Sequence, residues 1–188
     1  MASTLHLTDT PTTVEARTCE SVTPPACTEQ DTPGIIVVAL AGSPVRWLDG
    51  WESAIDTDTD RATFVVDEAA SWLAGDAKDR LDAEAPPATD VCVRTVASPG
   101  NLTDLGVTLT EALETQSADP TLLCFQSLTV LLQYSPSDEV YRFLHTLVTH
   151  VDRADVTAHF HLHEGAHEAE TVATLRPLFD RVRSDGQA

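Results

Sequence analysis

Lysine is almost absent from this 188-residue sequence, and basic residues of any kind are scarce. Lys78 is the single lysine, and 11 Lys+Arg stand against 30 Asp+Glu, which gives a formal net charge of −19. No stretch forms the basic patch that offsets phosphate charge, so direct nucleic-acid binding is not expected. A phosphate-binding loop ending in Lys-Ser or Lys-Thr is excluded too, because Lys78 lies in DAKDRL.

Other familiar motifs are missing as well. The sequence has no G-x-S-x-G nucleophile elbow, no G-x-G-x-x-G dinucleotide turn and no C-x-x-C pair among its four cysteines. We interpret the cysteines as free thiols, with a Cys19–Cys27 disulfide as the alternative. No run approaches 18 apolar residues, and the opening segment lacks a charged region followed by an apolar run. These absences predict a cytoplasmic protein without a membrane partner.

What the chain does contain is acid, distributed along its whole length. Together with 42% hydrophobic residues, this predicts one folded domain with a densely carboxylated surface. Such a surface is typical of cytoplasmic proteins from halophiles that accumulate salt, where molar salt limits charge repulsion to about 3 Å. The charge therefore indicates a habitat rather than a partner.

The chain divides into three parts by pattern. Residues 1–33 are rich in Thr, Pro and Glu and show no apolar periodicity, which predicts a flexible N-terminal arm. Residues 34–184 are predicted to form a single α/β domain, and residues 185–188 a short tail. Within the domain, five apolar segments rich in β-branched residues are predicted as strands, with a sixth short strand near the end. They are 35–42, 62–67, 91–96, 121–126, 156–162 and 179–183.

Helical patterns fall between these strands. A leucine stripe beginning at Leu102 predicts one helix, and another is predicted after Ser135 as its N-cap, with Pro136 in its first turn. A closing helix is predicted over 166–175. Strands alternating with helices every 25–35 residues predict a three-layer α/β domain with a mainly parallel sheet of five or six strands.

The stretch HFHLHEGAH holds four of the seven histidines. Residues two apart on a strand share a side, so His159, His161 and His163 would lie together, with Glu164 and His167 beside them. Imidazole and carboxylate groups are zinc ligands, and this cluster defines one hypothesis, a metal-dependent hydrolase. The alternative is that the histidines hydrogen-bond their neighbours at a strand end and hold no metal.

One part of the chain resembles a known family. Residues 122–148, LLCFQSLTVLLQYSPSDEVYRFLHTLV, resemble the second half of a RecA/KaiC-type ATPase domain. The flanking stretches SPGNLTDLGVTLTEAL and AHFHLHEGAHEAETVATLRPLFDRV look like an uncharacterised KaiC-like family common in halophilic archaea. The resemblance covers about residues 35–183.

The resemblance implies a RecA/KaiC-like fold that lacks the P-loop unit. The aspartate that orients magnesium in the family falls on Gln126, which is a poor Mg²⁺ ligand. We therefore expect no catalytic residues, cofactor or metal, and a regulatory module that binds a protein partner, with self-association as one option. A residual nucleotide-sensing pocket at the carboxyl ends of the strands is the remaining alternative. Its candidate residues are Ser43, Ser98, Gln126 and Ser127.

Overall fold

The computed structural model describes residues 3–8, 34–41, 61–69, 81, 90–116, 121–126 and 128–184. Within these segments, seven strands and four α-helices are defined. The strands are β1 Ser3–Thr8, β2 Gly34–Ala39, β3 Arg61–Asp67, β4 Asp90–Val96, β5 Thr121–Phe125, β6 Thr157–His163 and β7 Arg181–Ser184. The helices are α1 Leu102–Thr115, α2 Leu128–Tyr134, α3 Ser137–Arg153 and α4 Ala169–Leu175. Single 3₁₀ turns at Glu164–Ala166 and Arg176–Leu178 flank α4.

The seven strands form one sheet in the order β4-β3-β2-β5-β6-β1-β7, and every pairing is parallel. Continuous apolar runs such as GIIVVA in β2 suit this arrangement, because parallel strands are covered on both sides. The predicted three-layer α/β fold with a mainly parallel sheet is confirmed, with seven strands where five or six were expected.

The four described helices α1 to α4 lie on one side of the sheet. The connections from β4 to β5, β5 to β6 and β6 to β7 each move toward the β7 edge, so right-handed crossovers carry their helices over the same side. Contacts between α1 and α3 and between α3 and α4 agree with this. We call this the helix side. Alternate strand residues such as Leu5, Val38 and Phe160 point into its core, together with Leu105 and Leu144.

The opposite side of the sheet is buried too. Ile35, Val37, Phe64 and Leu122 alternate with the helix-side residues, and each is at most 3% exposed. Leu81, a helical residue, is also fully buried. Burial of both sets of side chains makes the sheet the middle of three layers.

β1 corrects the prediction of a flexible arm over residues 1–33. Ser3–Thr8 is a buried strand between β6 and β7, and its Leu5 and Leu7 belong to the helix-side core. The prediction was wrong there because STLHLT alternates leucine with polar residues, a strand pattern that the following Thr- and Pro-rich sequence obscured. Residues 9–33 and the predicted tail 185–188 lie outside the described residues.

The start of α3 corrects the predicted cap. Pro136 occupies the N-cap position, whereas Ser135 follows α2 and its hydroxyl donates to the carbonyl oxygen of Gly100 at 3.4 Å. This contact joins the end of α2 to the turn before α1. There, Asn101 caps α1 by accepting a hydrogen bond from the Asp104 amide at 3.2 Å. The two helix ends are therefore fixed to each other.

Candidate functional site

The histidines of β6 meet a histidine from β1 on the side of the sheet opposite the helices. Alternation along β6 puts His159 and His161 there, and His6 lies in register with His161 on the neighbouring strand. All three are buried, with 5% or less of each residue exposed. We call His6, His159 and His161 the histidine cluster. His6 was missed from the sequence because it lies in the segment predicted to be an arm.

The histidine cluster is held by direct ring contacts. Nε2 of His6 and Nδ1 of His159 are 2.7 Å apart, a hydrogen bond in which one ring donates and the other accepts. The ring of His6 also lies 4.9 Å from that of His161, nearly parallel to it. On the far side, Nε2 of His161 is 3.8 Å from the Sγ of Cys124 on β5. Three adjacent strands are thus linked by these side chains.

Burial keeps His6 and His159 neutral. It lowers the pKa of His6 to about 3 and that of His159 to about 4, because an imidazolium would lose its hydration in the sheet interior. The neighbouring His161 lowers both pKa values further, and Arg183 on β7 adds to the effect. His6 and His159 are therefore uncharged near neutral pH, and their facing nitrogens join β1 to β6.

The residues after β6 do not gather around this cluster. Glu164 accepts a hydrogen bond from Arg176 at 3.1 Å, an ion pair that ties the 3₁₀ turns before and after α4. Burial, with a smaller effect of His163, lowers the pKa of His167. Among the described residues, no group of three or more His, Cys, Asp or Glu side chains has an arrangement suited to a metal ion. The predicted zinc ligands are thus divided: His159 and His161 are buried in the cluster, and Glu164 and His167 lie in and just after the following turn. His163 ends β6, where its backbone amide donates to the hydroxyl of Thr129 at 3.0 Å.

The predicted nucleotide pocket is represented by two of its four residues, since Ser43 and Ser127 lie outside the described residues. Ser98 follows β4, where its hydroxyl oxygen accepts from the Gly100 amide at 3.3 Å. Gln126 follows β5, and its backbone amide donates to the carbonyl oxygen of Val38 at 3.0 Å. Because β3 and β2 separate β4 from β5, these two residues are not on neighbouring strands.

A groove lies between α1 and α3 in the helix layer. It encloses about 640 Å³, within the range of ligand-binding clefts. Both helices follow parallel strands, so they run in the same direction and the groove lies along their length. We call it the α1–α3 groove. Its lining comprises Leu102, Thr103, Gly106, Val107, Thr110, Glu111, Glu139, Arg142, Phe143, Thr146, Leu147 and His150.

Two residues of the groove are unfavourable for the stability of the domain. Val107 is 54% exposed although it is apolar. Gly106 sits in the interior of α1, where glycine costs about 1 kcal/mol relative to alanine. A Cβ at this position would lie 3.7 Å from Cε2 of Phe143, an ordinary van der Waals distance, so packing does not require glycine. The glycine does keep the floor of the groove open.

The charged residues at the rim are mostly engaged. Glu111 pairs with Arg94 at 3.0 Å, and Arg142 pairs with Asp138 within α3. Glu139 has no ion-pair partner among the described residues. The amino-terminal end of the groove therefore carries an excess of negative charge. The sequence signals for this site were a glycine inside the leucine stripe of α1 and a valine outside it.

The fold and these two regions define a three-layer α/β domain with a buried polar cluster in its sheet and an apolar groove on its helices. The chain belongs to a family of unknown function (DUF7504), whose model matches residues 2–183, from β1 into β7. No curated protein matches the sequence. Among the described helices, none is both long and apolar enough to cross a membrane.

Proposed function

We propose that this protein is a regulatory module that binds a protein partner through the α1–α3 groove, in the cytoplasm of a halophile. In this proposal it is a RecA/KaiC-like domain without ATPase activity. The observation that carries it is Gly106: a helix-destabilising residue lies in the interior of α1, where a methyl group would fit, and it leaves the groove open. Violations of local preference without a packing reason are expected at functional sites.

The chemistry elsewhere in the described structure supports binding rather than catalysis. The histidine cluster is buried, and Nε2 of His6 and Nδ1 of His159 are bonded to each other between strands. Gln126, a neutral residue, stands at the end of β5, where the resemblance places an acidic magnesium ligand. A protein of this kind would act through what it binds, and its −19 charge would keep it dispersed in concentrated salt.

The test compares two leucine substitutions on the same helix. Gly106→Leu fills the groove, whereas Glu114→Leu adds the same side chain at an exposed position outside it. The tagged full chain, purified from extracts of its own cells in molar salt, should retain a stoichiometric partner when it is wild type or Glu114→Leu. The Gly106→Leu chain should lose that partner while keeping its circular dichroism spectrum.

Equal retention by both variants would remove the groove from the proposal. ATP turnover provides a second check. Incubation with Mg²⁺ and ATP should give no phosphate release above a buffer blank, and a rate that disappeared in Gln126→Ala would show that the domain is an active ATPase.

A further inference from the structure

Resting on the function proposed above, we infer that the occupant of the α1–α3 groove is an amphipathic helix with basic residues beside its apolar stripe. The partner is thus identified by its chemistry. Three properties of the groove lead to this class of ligand: its length, the nature of its floor and the charge at one of its ends.

The length fits a short helix. Along α3, the lining runs from Glu139 to His150, which are 11 residues apart, or about 16 Å at the rise of an α-helix. That is three turns of a partner helix. Its apolar positions i, i+4 and i+7 span about 10 Å and would fit inside the groove.

The floor fits an apolar stripe. Leu102, Gly106 and Thr110 on α1 are spaced by four residues, and Phe143 and Leu147 on α3 have the same spacing. The two rows line the floor of the groove, and Val107 is exposed beside it. At Gly106 the missing side chain lets a partner residue approach the backbone of α1, so this position should receive its largest apolar side chain.

The charge selects a basic helix. At the amino-terminal end of the groove, Glu139 lies beside the ion pair of Arg142 with Asp138, which leaves one net negative charge. Arg142 is already bonded to Asp138. Glu139 therefore offers an acceptor to a Lys or Arg of the partner. A second copy of this chain is a poor occupant, because its 11 Lys+Arg among 30 Asp+Glu leave it few basic residues to place beside Glu139.

The experiment uses two synthetic peptides of about 18 residues, long enough to form helix in water. Both carry the same leucine stripe at i, i+3, i+4 and i+7 spacing, but one is flanked by Lys and Arg and the other by Glu. Binding to the full chain is measured by fluorescence anisotropy at about 0.15 M salt and again in molar salt, where screening reaches only about 3 Å. Sedimentation equilibrium of the protein alone reports self-association.

The basic peptide should bind and the acidic one should not. Gly106→Leu should weaken binding at least about tenfold, as expected for blocking the centre of an interface, while Glu114→Leu leaves it unchanged. Glu139→Gln should weaken it about twofold to fivefold, the effect of one exposed ion pair. Glu170→Gln, in the first turn of α4 and outside the groove, is the matched control and should have no effect.

Equal binding of the two peptides would overturn the charge selection. Binding of neither, or a dimer that disappears in Gly106→Leu, would overturn the helical partner in favour of another occupant. These failures are distinguishable from failure of the proposed function, because the partner retained from cell extracts would still depend on Gly106. If that dependence were lost too, the groove itself would be the wrong site.

Discussion

The histidine cluster and the α1–α3 groove lie on opposite sides of one sheet and treat their side chains in opposite ways. In the cluster, polar groups are removed from water and bonded to one another, as the 2.7 Å contact between His6 and His159 illustrates. In the groove, apolar Val107 is left in water and a helix carries a glycine. The buried hydrogen bond between His6 and His159 stabilises the fold, whereas an apolar groove that stays open to water is the form of a binding cleft.

The strongest way to separate the two regions is to remove the strand that carries His6. Replacing both Leu5 and Leu7 with alanine should destabilise the fold by about 4–10 kcal/mol, since each buried leucine is worth about 2–5 kcal/mol. Because a domain has only about 5–15 kcal/mol in total, we expect loss of cooperative unfolding in circular dichroism. Val182→Ala, on the neighbouring strand in register with Leu5, should change stability by less than about 1 kcal/mol. A double variant with wild-type stability would mean that β1 is not part of the sheet.

Acid should lower the stability of the fold through the histidine cluster. The folded pKa values of His6 and His159 lie below the unfolded value of about 6.5, so the unfolded chain binds protons that the folded chain refuses. The contribution of the two histidines to the free energy of unfolding is complete above pH 6.5. It is lost as the pH drops toward about 4 and then 3, by up to about 1.4 kcal/mol per pH unit for each histidine. Urea titrations of the wild type and of the variant His6→Phe/His159→Phe measure this directly. The double variant keeps all carboxylates, so its slope between pH 6.5 and 4 should be shallower, and identical slopes would contradict the assignment.

At neutral pH, the same pair should show strong coupling. His6→Phe leaves the ring of His159 buried without its hydrogen-bond partner and should cost about 1–3 kcal/mol. Adding His159→Phe replaces both partners by apolar rings, so the double variant should recover part of that loss. A double-mutant cycle of unfolding free energies gives the coupling. Strictly additive effects would show that the contact contributes nothing.

The smallest effect is expected from a change at Gly106 that raises stability and lowers the affinity for the partner. Gly106→Ala should stabilise the protein by about 0.5–1 kcal/mol, because alanine is the better helix residue and its methyl group meets only an ordinary contact with Phe143. The same change makes the groove shallower and should weaken binding of the partner. Thermal unfolding and partner retention, measured on the same preparation, test both signs. Stabilisation with unchanged binding would show that Gly106 has no role in binding the partner.

Some elements of the fold and of the candidate site could be predicted from the sequence. The apolar run at Ile35 predicted β2 with its start one residue late and its end three residues late, and the leucine stripe predicted α1, because periodicity reports burial. His159 and His161 were correctly placed on one side of a strand. Their partner His6 was not, since hydrogen bonds between residues 153 positions apart leave no local signal.

By itself, the sequence determined the class of fold and the alternation of strands and helices. Patterns of period two and 3.6 follow from the backbone and act within a few residues. It also determined the acidic surface, which is a matter of composition. The tertiary structure alone decided that β1 inserts between β6 and β7, that His6 meets His159, and that Gly106 opens opposite Phe143. Each of these brings together residues distant in the chain, and their meeting depends on how whole elements pack.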